Sequence, residues 1–95
     1  MKLVAIFKKP EDPQAFEKTY LETHMPLIHR LPGLISSDIS RFTRTLMGEE
    51  LYLMNVMTFE DLDRLKAAMK SPEMAAASEN LNTFAAGLVT LYFAE

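Results

Sequence analysis

The sequence predicts an α+β fold in which four antiparallel strands are covered on one face by helices. Short runs rich in β-branched and aromatic residues alternate with amphipathic helical segments in the order β-α-β-β-α-β. Capping residues and prolines mark where the helical segments begin. Three of the four strand segments are apolar on both sides, which indicates that the face without helices is also covered.

The first half of the chain predicts one strand and one long helix. Lys2 to Lys8 is the strand, a β-branched and aromatic run. Asp12 is a good N-cap, and Pro13 suits the first helical position, where a missing N–H costs nothing. The helix is predicted to continue to about Leu31, because Pro32-Gly33 ends it.

In a regular helix, one side of this segment faces the sheet. Its residues are Phe16, Tyr20, Thr23, His24, Leu27 and Leu31. The opposite side carries Lys18, Glu22, Met25 and His29. Pro26 cannot donate a hydrogen bond to the carbonyl of Glu22, so we expect the helix to kink or widen at this point.

The second half predicts two helical pieces. Thr58 and Asp61 match a capping box, which predicts a helix from Phe59 to about Lys70. Ser71 and Pro72 restart a helix, which Gly87 ends. The first piece faces the sheet through Leu62, Leu65 and Met69, and the second through Met74, Ala77, Leu81 and Phe84.

The remaining strands are Leu34 to about Thr45, Leu51 to Thr58, and Leu88 to Ala94, with a turn at Met47 to Glu50. The first of these strands is more polar than the others. The complete order is the ferredoxin-like arrangement of two split halves. We expect one domain spanning residues 1–95.

The strands without alternation predict a homodimer. Val4 and Ile6 are apolar on the side opposite Leu3, Ala5 and Phe7, and the third and fourth strands behave similarly. An exposed apolar patch of about 600 Å² is already large for a soluble monomer. At about 25 cal/mol per Å², its burial drives association. A two-fold axis lets the same patch serve both copies.

Composition excludes several classes of protein. The net charge is −3, and the lysines and arginines are scattered, so there is no electrostatic footprint for nucleic acid. No window approaches the roughly 20 apolar residues of a membrane helix, and the N-terminal apolar run is too short for a signal peptide. Absence of cysteine excludes thiolate catalysis and fits the cytosol. We expect a cytoplasmic protein.

Several segments together resemble the signature of the EthD family over nearly the whole chain. They are Asp12 to Phe16, Tyr20 to Leu27, Leu31 to Leu34, Ser71 to Glu73 with the alanine-rich helix, and Gly87 to Leu91. The resemblance implies the dimeric α+β barrel superfamily, in which two ferredoxin-like chains place their sheets face to face. EthD proteins, named after an ether-degradation gene cluster, are often labelled reductases without a visible cofactor motif.

The wider superfamily to which the resemblance points includes polyketide cyclases, muconolactone isomerases, cofactor-free oxygenases and haem-degrading enzymes. Fold alone does not choose among these activities. The family pattern His-x-Pro-Leu falls on His24, which lies on the side of the helix that faces the sheet. His24 is the first catalytic candidate, since histidine exchanges protons near neutral pH. The ordinary alternative is a buried histidine that is hydrogen-bonded to Tyr20 or to a carbonyl.

Four further residues are candidates for the site. Tyr20, one turn before His24, is the second catalytic candidate, able to orient the imidazole or donate to a ligand oxygen. Asn55 is polar in an apolar strand and must find partners, in a pocket or in a neighbouring strand. Tyr52 and Tyr92 are weaker candidates for lining a substrate cavity, because aromatic strand residues usually belong to the core.

No cofactor or metal is predicted. The chain has no glycine-rich dinucleotide loop, no phosphate-binding loop and no nucleophile elbow. Its two histidines lie on opposite helix faces and cannot share a metal ion. Haem ligation by His24 stays open, although no segment looks like a porphyrin site.

Three functional hypotheses remain. The first is a cofactor-free enzyme of the isomerase, cyclase or oxygenase type, or a so-called EthD family reductase, that acts on a small hydrophobic oxygenated metabolite near His24. The second is a non-catalytic module that binds such a molecule for a degradation pathway. The third is a purely structural domain with no pocket.

Overall fold

The computed structural model describes residues 1–95 and contains one four-stranded sheet. Its strands are β1 (Lys2–Phe7), β2 (Leu34–Arg41), β3 (Leu53–Phe59) and β4 (Val89–Ala94). They lie in the order β2-β3-β1-β4, and every neighbouring pair is antiparallel. This is the ferredoxin-like order, and it confirms the predicted fold.

The helical segments pack on one face of the sheet. They are α1 (Pro13–Thr19), a π-helical turn (Tyr20–His24), α2 (Met25–Ile28), α3 (Leu62–Met69) and α4 (Pro72–Phe84). Burial alternates strictly along β1 and β3, because only one side of each strand meets the helices. No helix in the structure is both long enough and apolar enough to cross a membrane.

Two of the predicted helix starts are confirmed, and one is wrong. Asp12 accepts a hydrogen bond from the backbone N–H of Ala15, and Ser71 accepts one from Met74. The predicted cap at Thr58 is wrong. Asp61 caps α3 instead, accepting from the Arg64 N–H at 2.8 Å.

The reason for the displaced cap lies in the sheet. β3 continues through Phe59, whose N–H donates to the carbonyl of Met1 at 2.8 Å. Thr58 is paired with Lys2 in the same ladder. Sheet hydrogen bonds therefore occupy the backbone that the capping box would need, and the helix begins three residues later than predicted.

The second strand is shorter than predicted. β2 ends at Arg41 rather than near Thr45, and residues 42–52 form a loop. One hydrogen bond, from the Phe42 N–H to the Tyr52 carbonyl, extends the pairing past Arg41. At the loop tip, the side chains of Leu46 and Met47 are 85% and 94% exposed.

The two faces of the sheet differ in composition. The face toward the helices holds the core, with Leu3, Ala5, Phe7, Leu53, Met57 and Phe59 nearly inaccessible. On the other face, Val4, Ile6, Met54 and Val56 are half-buried at the centre. β2 contributes Ser36, Asp38 and Ser40 to that second face. The bare face is therefore apolar in the middle and polar along its β2 edge.

The exposed surface of the chain is large for its mass. It amounts to 6108 Å², whereas a compact monomer of 10.8 kDa is expected to expose about 5500 Å². Part of the difference lies in the 42–52 loop, and part lies on the sheet. Tyr92 of β4, which is paired with Val4, is 51% exposed on the bare face.

Candidate functional site

The π-helical turn shapes the candidate site. The Met25 N–H donates to the carbonyl of Tyr20, five residues earlier, instead of to the residue four earlier. Pro26 follows directly and has no N–H to donate, which accounts for the opening. The predicted widening of the helix before Pro26 is therefore confirmed.

The extra residue in this turn changes which side chains face the sheet. Met25 is buried, with 6% of its surface exposed, although the regular-helix projection placed it on the outer side. Thr23, predicted to face the sheet, is exposed. The projection was wrong at these two positions because it assumed a constant 100° per residue, which a π turn does not keep.

A small cavity lies between the π turn, α4 and the sheet. Its walls are Leu3, Ala5, Phe7, Tyr20, His24, Ile28, Asn55, Met57, Met74, Ala77, Ser78, Leu81 and Leu91. The cavity volume is about 30 Å³, enough for about one or two water molecules. Ser78 and Leu91 are exposed, so they stand at its mouth. No lining side chain is an acid, a lysine or an arginine.

His24 is buried in this wall, with 4% of its surface exposed. Its Nδ1 lies 3.1 Å from Oδ1 of Asn80, and Nε2 makes no hydrogen bond within the protein. Burial lowers the pKa of His24, while the bond to Asn80 acts in the opposite direction. The imidazole is therefore neutral at pH 7 and has one nitrogen free to accept a proton.

Tyr20 is 1% exposed and belongs to an aromatic cluster. Its ring lies 5.4 Å from that of Phe7, 5.7 Å from that of Phe16 and 5.6 Å from that of His24. Burial raises the pKa of Tyr20 to about 12. The hydroxyl therefore keeps its proton at all physiological pH values and can act as a hydrogen-bond donor.

Asn55 is the third buried polar group of the cavity, with 1% of its surface exposed. Its Oδ1 accepts from the Ser37 hydroxyl at 2.8 Å, and its Nδ2 donates to Sδ of Met25 at 3.8 Å. A thioether is a weak acceptor, so the amide donor is poorly satisfied. The Asn55 side chain interacts with the Tyr20 hydroxyl and acts to lower the pKa of Tyr20, against the larger effect of burial.

The other two candidates lie elsewhere. The Tyr52 hydroxyl donates to Oε1 of Glu17 at 2.9 Å, outside the cavity. Tyr92 lies on the bare face of the sheet, on the side away from the helices. The structure thus brings Tyr20, His24 and Asn55 together and separates them from Tyr52 and Tyr92.

Sequence reasoning missed the partner of His24. Asn80 follows the buried Ala77 by three residues and precedes Phe84 by four, and this spacing places it on the inner side of α4. The Phe84 ring lies 5.7 Å from the His24 ring. Its spacing from Ala77 is the signal that could have identified Asn80. The prediction considered only apolar residues on the inner side of this helix and therefore passed over it.

The structure does not offer an evident place for a metal ion. No group of three or more histidine, cysteine, aspartate or glutamate side chains is arranged to hold one. The cavity also lacks a positively charged side chain that would pair with the phosphates of a nucleotide cofactor.

Comparison with known proteins identifies close relatives. Residues 8–87 match the family model described as the EthD domain. An ethyl tert-butyl ether degradation (EthD) family protein from Bacillus halodurans has a crystal structure that superposes with a TM-score of 0.93 at 38% identity, covering 99% of this chain and 95% of that one. An uncharacterized 11.0 kDa protein from the thcB-thcC intergenic region of Rhodococcus erythropolis is 28% identical, over 99% of this chain and 92% of that protein.

More distant solved structures share the fold. A dimeric ferredoxin-like protein of unknown function from Jannaschia superposes with a TM-score of 0.72 at 20% identity, covering 99% of this chain and 97% of that one. SnoaB, a cofactor-independent oxygenase from Streptomyces nogalater, superposes with a TM-score of 0.64 at 18% identity, covering 99% and 91%. At such identities the likeness shows the fold alone.

Proposed function

The chain belongs to the EthD family, and from this premise we propose that it is a small cofactor-independent enzyme that moves a proton on an uncharged, largely apolar, oxygenated molecule. The proposed site is the cavity formed by His24, Tyr20 and Asn55. A relative with the same fold, SnoaB, is described as a cofactor-independent oxygenase, which supports chemistry carried by side chains alone.

One observation carries the proposal. Nε2 of His24 belongs to a deeply buried side chain in the wall of a cavity, and it makes no hydrogen bond within the protein. The atom itself is not fully enclosed, so a ligand or a water molecule can reach its free lone pair. A neutral imidazole in that place is suited to accept a proton.

The proposed step is the removal of a proton from a carbon next to a carbonyl group. The C–H bond breaks, its proton bonds to the imidazole of His24, and the electron pair passes to the oxygen as an enolate. The Tyr20 hydroxyl, protonated at working pH, donates a hydrogen bond to that oxygen. Return of the proton to another carbon completes an isomerisation. Attack of the enolate carbon on a second carbonyl of the same molecule forms a ring, and the proton returns to the resulting alkoxide. Attack of that carbon on O₂ gives a hydroperoxide once the proton returns to the terminal oxygen.

The walls of the cavity define the class of substrate. Because none of them is charged, a carboxylate or phosphate on the substrate would be buried without a partner, at high cost. The cavity volume of about 30 Å³ is well below that of ordinary ligand pockets. Substrate therefore enters only when side chains at the mouth, such as Leu81 and Leu91, move aside.

We also propose that the working unit is a homodimer in which two bare sheet faces meet. The half-buried apolar centre formed by Val4, Ile6, Met54 and Val56 supports this, as does the excess exposed surface. The ferredoxin-like relative from Jannaschia is described as dimeric. A two-fold axis through the centre of the face would bury the same residues of both copies.

The enzymatic proposal is tested by hydrogen exchange. The protein, without added cofactor, is incubated in D₂O with small uncharged ketones (cyclohexanone and acetophenone), and loss of the C–H signal next to the carbonyl is followed by NMR. We expect His24→Gln to slow exchange by about 100-fold or more, the usual contribution of a general base. His29→Gln, on the exposed side of the helix, is the matched control and should leave the rate unchanged.

Equal exchange rates for the natural protein and His24→Gln would contradict the proposal. Tyr20→Phe separates the role of His24 as a base from the role of Tyr20 as a hydrogen-bond donor, because it retains the imidazole and removes only the hydroxyl. We expect it to slow exchange less than His24→Gln does.

A non-catalytic binding module is the second candidate, and the mostly apolar lining of the cavity favours it. Binding to such a lining requires no base. In that case, the same ketones would shift the NMR signals of the cavity residues equally in the natural protein and in His24→Gln, and neither protein would catalyse exchange of their C–H protons.

A further inference from the structure

Asn80 joins α4 to the π turn across 56 positions of sequence. Its Oδ1 contacts Nδ1 of His24 at 3.1 Å, and one turn further along α4 the ring of Phe84 lies against the same imidazole at 5.7 Å. The Tyr20 ring lies 5.6 Å from the imidazole and 6.4 Å from the Phe84 ring, so the three rings form one cluster. The ring is therefore held in one orientation by two rings and one hydrogen bond.

The hydrogen bond determines which ring nitrogen carries the proton. An amide oxygen is only an acceptor, so the Nδ1 that faces it must bear the hydrogen. A neutral imidazole has a single N–H, and Nε2 is then left with a free lone pair. A free histidine is not fixed in this way, since either nitrogen can hold the proton.

We propose that Asn80 is a positioning residue that fixes His24 as its Nδ1–H tautomer, so that Nε2 is the atom that accepts the substrate proton. The inference rests on the proposed function for the fate of the proton, but the tautomer itself does not depend on any turnover. Asn80 does not line the cavity, so it acts through His24 alone.

The surroundings of His24 contain no second group that sets the tautomer. Among the residues that line the cavity with it, Tyr20 is the one other titratable group, and it comes from the same helical segment. The sheet contributes Asn55 and apolar side chains, and α4 contributes Ser78, Asn80 and Phe84. No charged side chain contributes to the pKa of His24.

The test uses ¹⁵N-labelled histidine in the full chain. Because the chain has two histidines, His29→Gln leaves His24 as the single source of imidazole signals. We expect a pyrrole-like ¹⁵N shift for Nδ1 and a pyridine-like shift for Nε2 at neutral pH. A protonated Nε2 in this protein would overturn the inference, whether or not any substrate is turned over.

Two substitutions separate a positioning role from a structural one. Asn80→Leu replaces the amide by a side chain of similar volume that has no hydrogen-bond acceptor. Because one hydrogen bond is lost, we expect the ratio of the Nδ1–H tautomer to the Nε2–H tautomer to fall by about tenfold. Asn80→Asp restores the acceptor and should rescue the tautomer, while its negative charge raises the pH at which His24 takes up a second proton.

The outcomes distinguish this inference from the proposed function. If Asn80→Leu folds with its tautomer unchanged, the positioning role is wrong. If Asn80→Leu does not fold, Asn80→Asp alone decides, since an unchanged titration midpoint would contradict contact between the two side chains. Absence of proton exchange by the natural protein, together with the expected tautomer, would refute the proposed function and leave the positioning role intact.

Discussion

Arg41 of β2 binds Glu17 of α1 through two hydrogen bonds, from Nε at 2.8 Å and from Nη2 at 2.9 Å. The Tyr52 hydroxyl donates to the same carboxylate at 2.9 Å. These three side chains fasten the first helix to the sheet next to the Phe16–Tyr20 stack. The arrangement is bidentate, the geometry in which arginine–carboxylate pairs are strongest.

Replacement of Glu17 by Gln should therefore reduce stability modestly. Because the Arg41 side chain is 48% exposed, we expect a loss of about 0.5–1 kcal/mol in the free energy of unfolding at pH 7. Urea denaturation measures it. Glu22→Gln, an exposed change on the same helical segment, is the control. A loss no larger than that of the control would show that the pair contributes nothing.

The same pair predicts how stability depends on acid. The hydrogen bond from Arg41 lowers the pKa of Glu17 below its ordinary 4.5. Its contribution is therefore complete above pH 4.5 and is lost as the pH falls through the lowered value. The difference in stability between the natural protein and Glu17→Gln should shrink over that range, which urea titrations at successive pH values will show.

We expect His24 to make the free energy of unfolding depend on pH in a second, higher range. Burial lowers its pKa below 6.5, so the unfolded chain binds a proton at pH values where the folded chain does not. Stability is therefore highest above pH 6.5 and declines as the pH falls toward the lowered value. His24→Gln should flatten this part of the pH profile, whereas His29→Gln should retain it.

Because of the π turn, we expect substitutions at two nearby positions, Met25 and Thr23, to have very different effects on stability. Met25→Ala should cost about 2–4 kcal/mol in the free energy of unfolding, because it removes a buried side chain. Thr23→Ala, on the exposed side, should change stability by less than about 0.5 kcal/mol. A regular helix would give the reverse order. Chemical denaturation of the two variants distinguishes the two geometries.

The proposed dimer can be tested at the centre of the bare sheet face. Ile6→Lys places a charge between Met54 and Thr90, its partners in the two adjoining strands, and should convert the dimer to monomer. Ala75→Lys adds the same charge on the exposed side of α4, away from this face, and should leave the mass unchanged. Light scattering at micromolar concentration reports both. A monomeric mass for the natural protein would contradict the proposal.

The fold was predictable because its signals are local and repeated. Two N-caps, Asp12 and Ser71, each followed by proline, mark helix starts that the structure retains. The apolar runs identified all four strands, and alternation along β1 and β3 separated the buried side of each strand from the other side. The prediction failed at Thr58, where hydrogen bonds to a distant strand prevailed over a local capping motif.

The candidate site was less predictable, for a physical reason. His24 and Tyr20 followed from helical spacing and from the family pattern, but the partner of His24 lies 56 residues away. Tyr52 and Tyr92 were placed by residue type alone. The position of Tyr52 depends on its hydrogen bond to Glu17, and that of Tyr92 depends on the register between β4 and β1. The spacing of apolar residues along the sequence reveals neither of these.

The widened turn at Tyr20–His24 also bears on which changes in length this chain tolerates. Deleting one residue there would remove the extra residue that the π turn accommodates, so an ordinary helix would keep Ile28 and Leu31 against the core they now fill. One more inserted residue would rotate them away from that core by about 100°. We expect the 42–52 loop, by contrast, to gain or lose residues with little effect, because its tip contacts solvent.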